Sequence, residues 1–412
     1  MTTRTKSNAR PMGTPTIEDD AGPRALAQVH QRLLIDEEWT DRRERGFTWW
    51  AHRLEQRIDA GLPIDDDGIV ITRLTSRIPV VTNVRATPER VERILAASNL
   101  LADSYSYVYD PQTQQVDSVQ SGIVHAQTLD WRPDLLASYF VIHLIHAEQD
   151  ANRLARALRG RIARSRHPMR GQRREPDDML NVVDAVFLPS GVPDNPFANE
   201  FEFESICEQV NRINAVSLGA SSTGVAIEVP FADSTALITL DAQYPHPRLG
   251  RGLGVRLHLP TRVDFDEGAR LAAWLNRKEA AGDLLCPAMG AWTVRGDIDP
   301  CRVVRCAFIS AALWRSGLAM DLAAGAILTL RKLNALLDPE GTEPNASEVL
   351  ANRLALLTRD SSNDDESRES ARAARSYVHN GVTFVNKTVP GRSVGIVGTA
   401  GIRPPRKRRL VS

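Results

Sequence analysis

Hydrophobic and polar positions along this 412-residue chain fall into two successive series of the same kind. The first opens with helical spacing over Arg24–Asp36, where Leu26, Val29, Leu33 and Leu34 share one side. Stretches rich in Val, Ile and Thr at Phe47–Ile58 and Ile69–Val84 predict strands, with Asp65-Asp66-Asp67-Gly68 as the turn between them. Thr87-Pro88 supplies an N-cap and a first-turn proline for a helix carrying Val91, Ile94, Leu95, Leu100 and Leu101. Two further strands, Ser104–Tyr109 and Gln120–Thr128, lead to Trp131, after which a long apolar helix reaches about Arg159.

The second series runs in the same order. A helix is predicted over Phe201–Arg212, then strands at Ala215–Leu218, Thr223–Pro230, Ser234–Ala242 and Gly252–Leu259. Asp264 caps a helix with Leu271, Trp274 and Leu275, strands follow at Ala288–Arg295 and Val303–Leu313, and a final helix extends to Leu337. Each series carries W-R-x-x-L between its last strand and last helix: Trp131-Arg132-Pro133-Asp134-Leu135 and Trp314-Arg315-Ser316-Gly317-Leu318. The expected class is α+β, with two related modules, each an antiparallel sheet packed on helices, because the strands alternate and the helices are amphipathic. The expected organisation is a disordered N-terminus (1–22), a first module (23–160), a basic linker (161–198), a second module (199–340) and a mostly flexible tail (341–412).

The α-β-β-β-α-β-β-α order resembles the type III secretion chaperone-like fold, including its relatives outside secretion systems. The stretches that carry the resemblance are Leu237-Ile238-Thr239-Leu240, the loop Tyr244-Pro245-His246-Pro247-Arg248-Leu249-Gly250, Val255–Leu259 and the strand pair entering Trp314. The resemblance implies a protein that binds a polypeptide partner, commonly as a homodimer, without catalysis. It transfers no binding residue, since that fold has no short signature. Duplication departs from the single-module pattern and is able to build the two-module assembly within one chain.

Composition narrows the function only slightly. Net charge is zero, so the whole molecule has no bias toward nucleic acid or anionic lipid. Five lysines leave 46 arginines among 51 basic residues, a usage suggestive of a high-GC bacterial genome. Four cysteines without C-x-x-C spacing suit a reducing compartment, and no apolar run is long enough to span a bilayer, so a cytoplasmic location is expected.

Candidate chemistry is sparse. His143-x-x-His146 places two imidazoles on one helix face, as a metal site would, with His125 as an outside third ligand. Their neighbours Val141, Ile142, Leu144 and Ile145 favour a packed core instead. Cys301 and Cys306 have odd separation on or beside a strand and so face opposite ways. The glycines of 391–401 match neither G-x-G-x-x-G nor a P-loop, and no predicted strand–turn–helix context surrounds them. No catalytic residue, metal or cofactor is therefore predicted.

Partner chemistry is the remaining signal. Consecutive Trp49 and Trp50 face opposite ways in a strand, so either one anchors a partner or both lie in the core. Arg248 and Arg251 sit in a Pro- and Gly-rich loop and can hold a carboxylate or phosphate, or the loop is simply a hairpin connection. Nine arginines and no acid occupy 153–174, including Arg159, Arg161, Arg164, Arg166, Arg170, Arg173 and Arg174. A second basic cluster is formed by Arg406, Lys407, Arg408 and Arg409. These neutralise phosphates, or pair with the acidic runs Glu200–Glu208 and Asp360–Glu369. The expected function is a non-enzymatic adaptor or chaperone-like protein with a polypeptide partner. The alternative is a nucleic-acid-associated protein using the two basic clusters.

Overall fold

The computed structural model describes residues 20–66, 69–102, 104–181, 196–198, 200–211, 216–221, 223–231, 234–286, 289–295 and 301–336, with short strands at 376–379, 382–385 and 397–398. The first half runs α1 (Gly22–Leu33), β1 (Thr40–Arg43), β2 (Gly46–Trp50), β3 (Glu55–Ala60), β4 (Ile64–Asp66) and β5 (Ile69–Thr82). It continues with α2 (Pro88–Asn99), β6 (Ser106–Asp110), β7 (Gln115–His125), α3 (Arg132–Ala157) and β8 (Arg161–Ile162). The second half runs α4 (Glu200–Val210), β9 (Val216–Ser221), β10 (Gly224–Phe231), β11 (Ser234–His246), β12 (Gly250–His258), α5 (Phe265–Ala281), β13 (Ala291–Arg295), β14 (Arg302–Ser310) and α6 (Leu318–Leu336).

The class is α+β with two antiparallel sheets, of eight and six strands. Their main strand orders, β1-β2-β3-β5-β7-β6 and β9-β10-β11-β12-β14-β13, match position for position, with β4 and β8 added to β5 in the first. Helices pack on both sheets: α3 on β5 and β7, and α6 on β10, β11 and β12. Alternation sorts β5 accordingly, with Thr72, Leu74, Ser76, Ile78 and Val80 buried. At Gly122 of β7 a Cβ would stand 2.4 Å from Leu136 Cδ2, so the missing side chain lets α3 approach the sheet.

The predicted strand Phe47–Ile58 is two strands, β2 and β3. The chain bends at 51–54 because Glu148 of α3 accepts hydrogen bonds from Arg53 N and Leu54 N, both at 2.8 Å, and from Arg53 Nε at 2.8 Å. Residues 161–181, expected as linker, lie back on the first half. Ile162 pairs with Val81, Ser165 accepts from Trp50 Nε1 at 3.0 Å, and Asp177 accepts from Trp49 Nε1 at 3.3 Å. The tail 341–412 and the acidic run Asp360–Glu369 lie outside the described residues apart from the three short strands.

The halves join through equivalent elements. Helix α2 packs on α5, α2 also touches β13, and α5 touches β6. Asn99 at the end of α2 brackets Tyr107 of β6, accepting from its N–H at 2.8 Å and donating to its carbonyl at 3.3 Å. Asn276 of α5 does the same to Trp292 of β13, at 2.9 and 2.8 Å. The two W-R-x-x-L motifs meet here: Arg315 lies over the Trp131 ring at 5.4 Å, and Arg132 pairs with Asp321, three residues after Leu318, at 2.6 Å.

Candidate docking surfaces

Three places collect the residues singled out by sequence: the junction of the halves, the arginine-rich segment 159–174, and the outer edges of the sheets.

At the junction, α3 presents His143, His146 and Asp150 on successive turns. His143 shares both ring nitrogens with hydroxyls, Nδ1 with Ser76 Oγ at 3.0 Å and Nε2 with Ser118 Oγ at 2.7 Å. His146 is buried beside Tyr105 and stacks over His246 with centroids 6.3 Å apart; its Nδ1 has no hydrogen-bond partner among the described residues. Among the described residues no three His, Cys, Asp or Glu side chains are placed to hold a metal ion. Cys306 is buried in β14, while Cys301 precedes the strand and bridges to Val263 through the backbone.

Arg248 does hold a carboxylate, and it is the chain's own. Its guanidinium pairs with Asp150 at 2.8 and 3.3 Å, and Tyr107 Oη donates to the same carboxylate at 2.9 Å. Burial pushes the Asp150 pKa upward, but the hydrogen bond and charge of Arg248, the charge of Arg153 and the Tyr107 hydroxyl outweigh it and hold it below the usual value. Burial lowers the pKa of His146 to about 3 and of His246 to about 4, with the Arg248 charge adding to both; burial also lowers that of His143 to about 3. This group is a neutral-histidine, ion-paired seam between the halves. Arg251 is exposed at the start of β12.

Trp49 and Trp50 are both buried, at 0% and 6% exposure, so neither presents an open anchor. Residues 163–179 fold over both indoles, Ser165 accepting from Trp50 and Asp177 from Trp49. His167 contacts the rings of Trp50 and Trp39 edge-on, and Arg173 lies over Trp39 at 5.2 Å. A groove of about 750 Å³ remains beside this cover, lined by Leu34, Trp39, Arg174 and Met179 among others.

The arginines divide into two groups. Arg170 pairs with Glu38 at 2.8 Å, and Arg173 with Asp177 at 3.1 Å and Asp36 at 3.7 Å. Arg159, Arg161, Arg164, Arg166 and Arg174 are exposed and carry no ion pair among the described residues. The described part of the acidic run Glu200–Glu208 does not reach them. Arg406, Lys407, Arg408 and Arg409 lie outside the described residues.

The sheet edges differ sharply. β6 and β13 are covered at the junction by α5 and α2. β1, Thr40-Asp41-Arg42-Arg43, is charged along its length, and β4 is three residues long with two aspartates. β9, Val216-Ser217-Leu218-Gly219-Ala220-Ser221, ends its sheet and carries no charge. It pairs only with β10 among the described residues, through a register shift at Ala226/Ile227. Beside it, α4 and β9 enclose a groove of about 540 Å³ lined by Glu204, Cys207, Glu208, Leu218, Gly219 and Ala220. The residue pattern predicts this strand over Ala215–Leu218 alone, three residues short of its end at Ser221, and marks no role for it. The available signal was its lack of charge next to a helix reading Glu-Phe-Glu-Phe-Glu.

No protein-family model, curated protein or solved structure matches the chain. No helix among the described residues is long and apolar enough to cross a membrane.

Proposed function

We propose that the chain is a non-enzymatic, chaperone-like adaptor that binds a polypeptide partner by strand addition at β9. The observation that supports this reading is the contrast among the edges. Proteins blunt exposed edges with charge, short strands or covering helices, because unpaired N–H and C=O groups recruit other strands. Among the described edges of the two large sheets, β1 and β4 carry charge, β8 is two residues long and includes Arg161, β6 and β13 are covered, and β9 is left uncharged beside an open groove. Main-chain pairing then supplies affinity and the groove supplies side-chain selection. The four free cysteines suit a reducing compartment such as the cytoplasm.

The test is selection of displayed random peptides on the full-length, nuclease-treated protein, repeated on Leu218→Lys. That substitution gives β9 the charge that β1 already has. Enriched sequences that bind wild type and fail on the variant support strand addition. Sequences that bind both equally place the partner elsewhere and sink it.

A second reading is favoured by a separate observation, the five exposed arginines of 159–174 that have no carboxylate partner among the described residues. In that reading they neutralise phosphates of a nucleic acid without reading sequence. Duplex DNA binding would then weaken with a slope of about −4.5 in log K against log salt, since each of five neutralised phosphates contributes about −0.9. Arg161→Glu with Arg164→Glu would abolish it. Salt-independent or absent binding removes this alternative.

A further inference from the structure

We propose that the segment added to β9 is basic, with Lys or Arg at alternate positions, and that Glu204 and Glu208 of α4 select it. This rests on strand addition at β9 and names the chemistry of the added strand. In the β9–β10 register Ala220 lies opposite Val225, which is buried, so the Ala220 side of the edge belongs to the helix-covered face. Helix α4 packs against β9 and β10 on that face. Alternate side chains of a strand added beyond β9 therefore point toward α4, and the others point to the open face.

Glu204 and Glu208 are exposed, line the groove with Leu218 and Ala220, and carry no ion pair among the described residues. Four residues apart on a helix, they are separated by about 6 Å along its axis. Same-face residues of a strand recur about every 6.8 Å, so two successive inward positions meet the two carboxylates. The apolar floor takes the methylene stems of Lys or Arg while their charged ends reach the glutamates. Charge complementarity and strand spacing thus specify the same occupant.

The experiment is fluorescence anisotropy of the full-length chain with three dye-labelled ten-residue peptides, in which Val alternates with Lys, Ser or Glu. The Lys peptide is expected to bind about tenfold more tightly than the Ser peptide at low salt, from two exposed ion pairs. The Glu peptide should bind most weakly. Glu204→Gln with Glu208→Gln should bring the Lys peptide to the level of the Ser peptide, and Leu218→Lys should abolish all binding; circular dichroism checks that both variants stay folded. Equal binding of Lys and Ser peptides, both lost in Leu218→Lys, overturns the charge selection while leaving strand addition in place. Binding of the Lys peptide that survives both variants overturns the assigned site. No binding of any peptide to wild type sinks strand addition and this inference together.

Discussion

Glu148, 7% exposed inside α3, spends its carboxylate on Arg53 N, Leu54 N and Arg53 Nε, and its carbonyl on Arg53 Nη2. Those bonds turn the chain between β2 and β3, so Glu148→Ala strands two backbone donors and a guanidinium. The expected cost is about 3 kcal/mol, read as a lower urea midpoint with unchanged slope. The histidines set a second expectation. Folded pKa values of about 3 for His143 and His146 and about 4 for His246 lie below the unfolded value of 6.5. The unfolded chain therefore binds more protons in that interval. Their contribution is fully present above pH 6.5 and is lost as pH falls toward 4, by up to about 1.4 kcal/mol per pH unit for each histidine. Urea titrations at pH 7.5, 6 and 5 check this, and a His143→Gln variant should show a shallower decline. Unchanged midpoints across that range would contradict it. The burial of His143 and His146 was legible from their apolar neighbours. The hydroxyls of Ser76 and Ser118 that make it tolerable were not, because strand pairing brings them together across the sequence.

Element order was the most legible layer. Caps and spacing around Thr87-Pro88, Asp264 and the two W-R-x-x-L motifs place the helices within a few residues of α2, α5, α3 and α6. Strand limits were less legible, since the break between β2 and β3 depends on a glutamate almost a hundred residues away. Equally, the return of 161–181 onto β2 depends on long-range bonds from Trp50 to Ser165 and from Trp49 to Asp177 that no local pattern announces. The paired asparagines give the test at this scale. Asn99→Ala should leave a backbone N–H and C=O of Tyr107 without partners, and Asn276→Ala should do the same at Trp292. Each is expected to cost about 2 kcal/mol, and Asp replacements should recover only the part due to the N–H acceptor. If thermal melts show a loss at one site alone, the two brackets are not equivalent.

Across the whole molecule, the junction accounts for why Arg248 is not free to meet an outside ligand. Its partner Asp150 is largely buried and also accepts from Tyr107, so Arg248→Met leaves a carboxylate with only Arg153 and the phenol to support it. A loss of about 3 kcal/mol is expected, read in urea, and Asp150→Asn in the Arg248→Met background should recover part of it. With β6 and β13 covered at this junction, β9 is the uncharged edge of the two large sheets left open among the described residues, and the proposed function rests on it; sequence could not reveal which edge that would be. Hydrogen–deuterium exchange of the full-length chain, with and without the alternating Val-Lys peptide, tests the assignment most directly. The account predicts slowed exchange over Val216–Ser221, with 159–174 unchanged. Protection confined to 159–174, or none at β9 under saturating peptide, would contradict it.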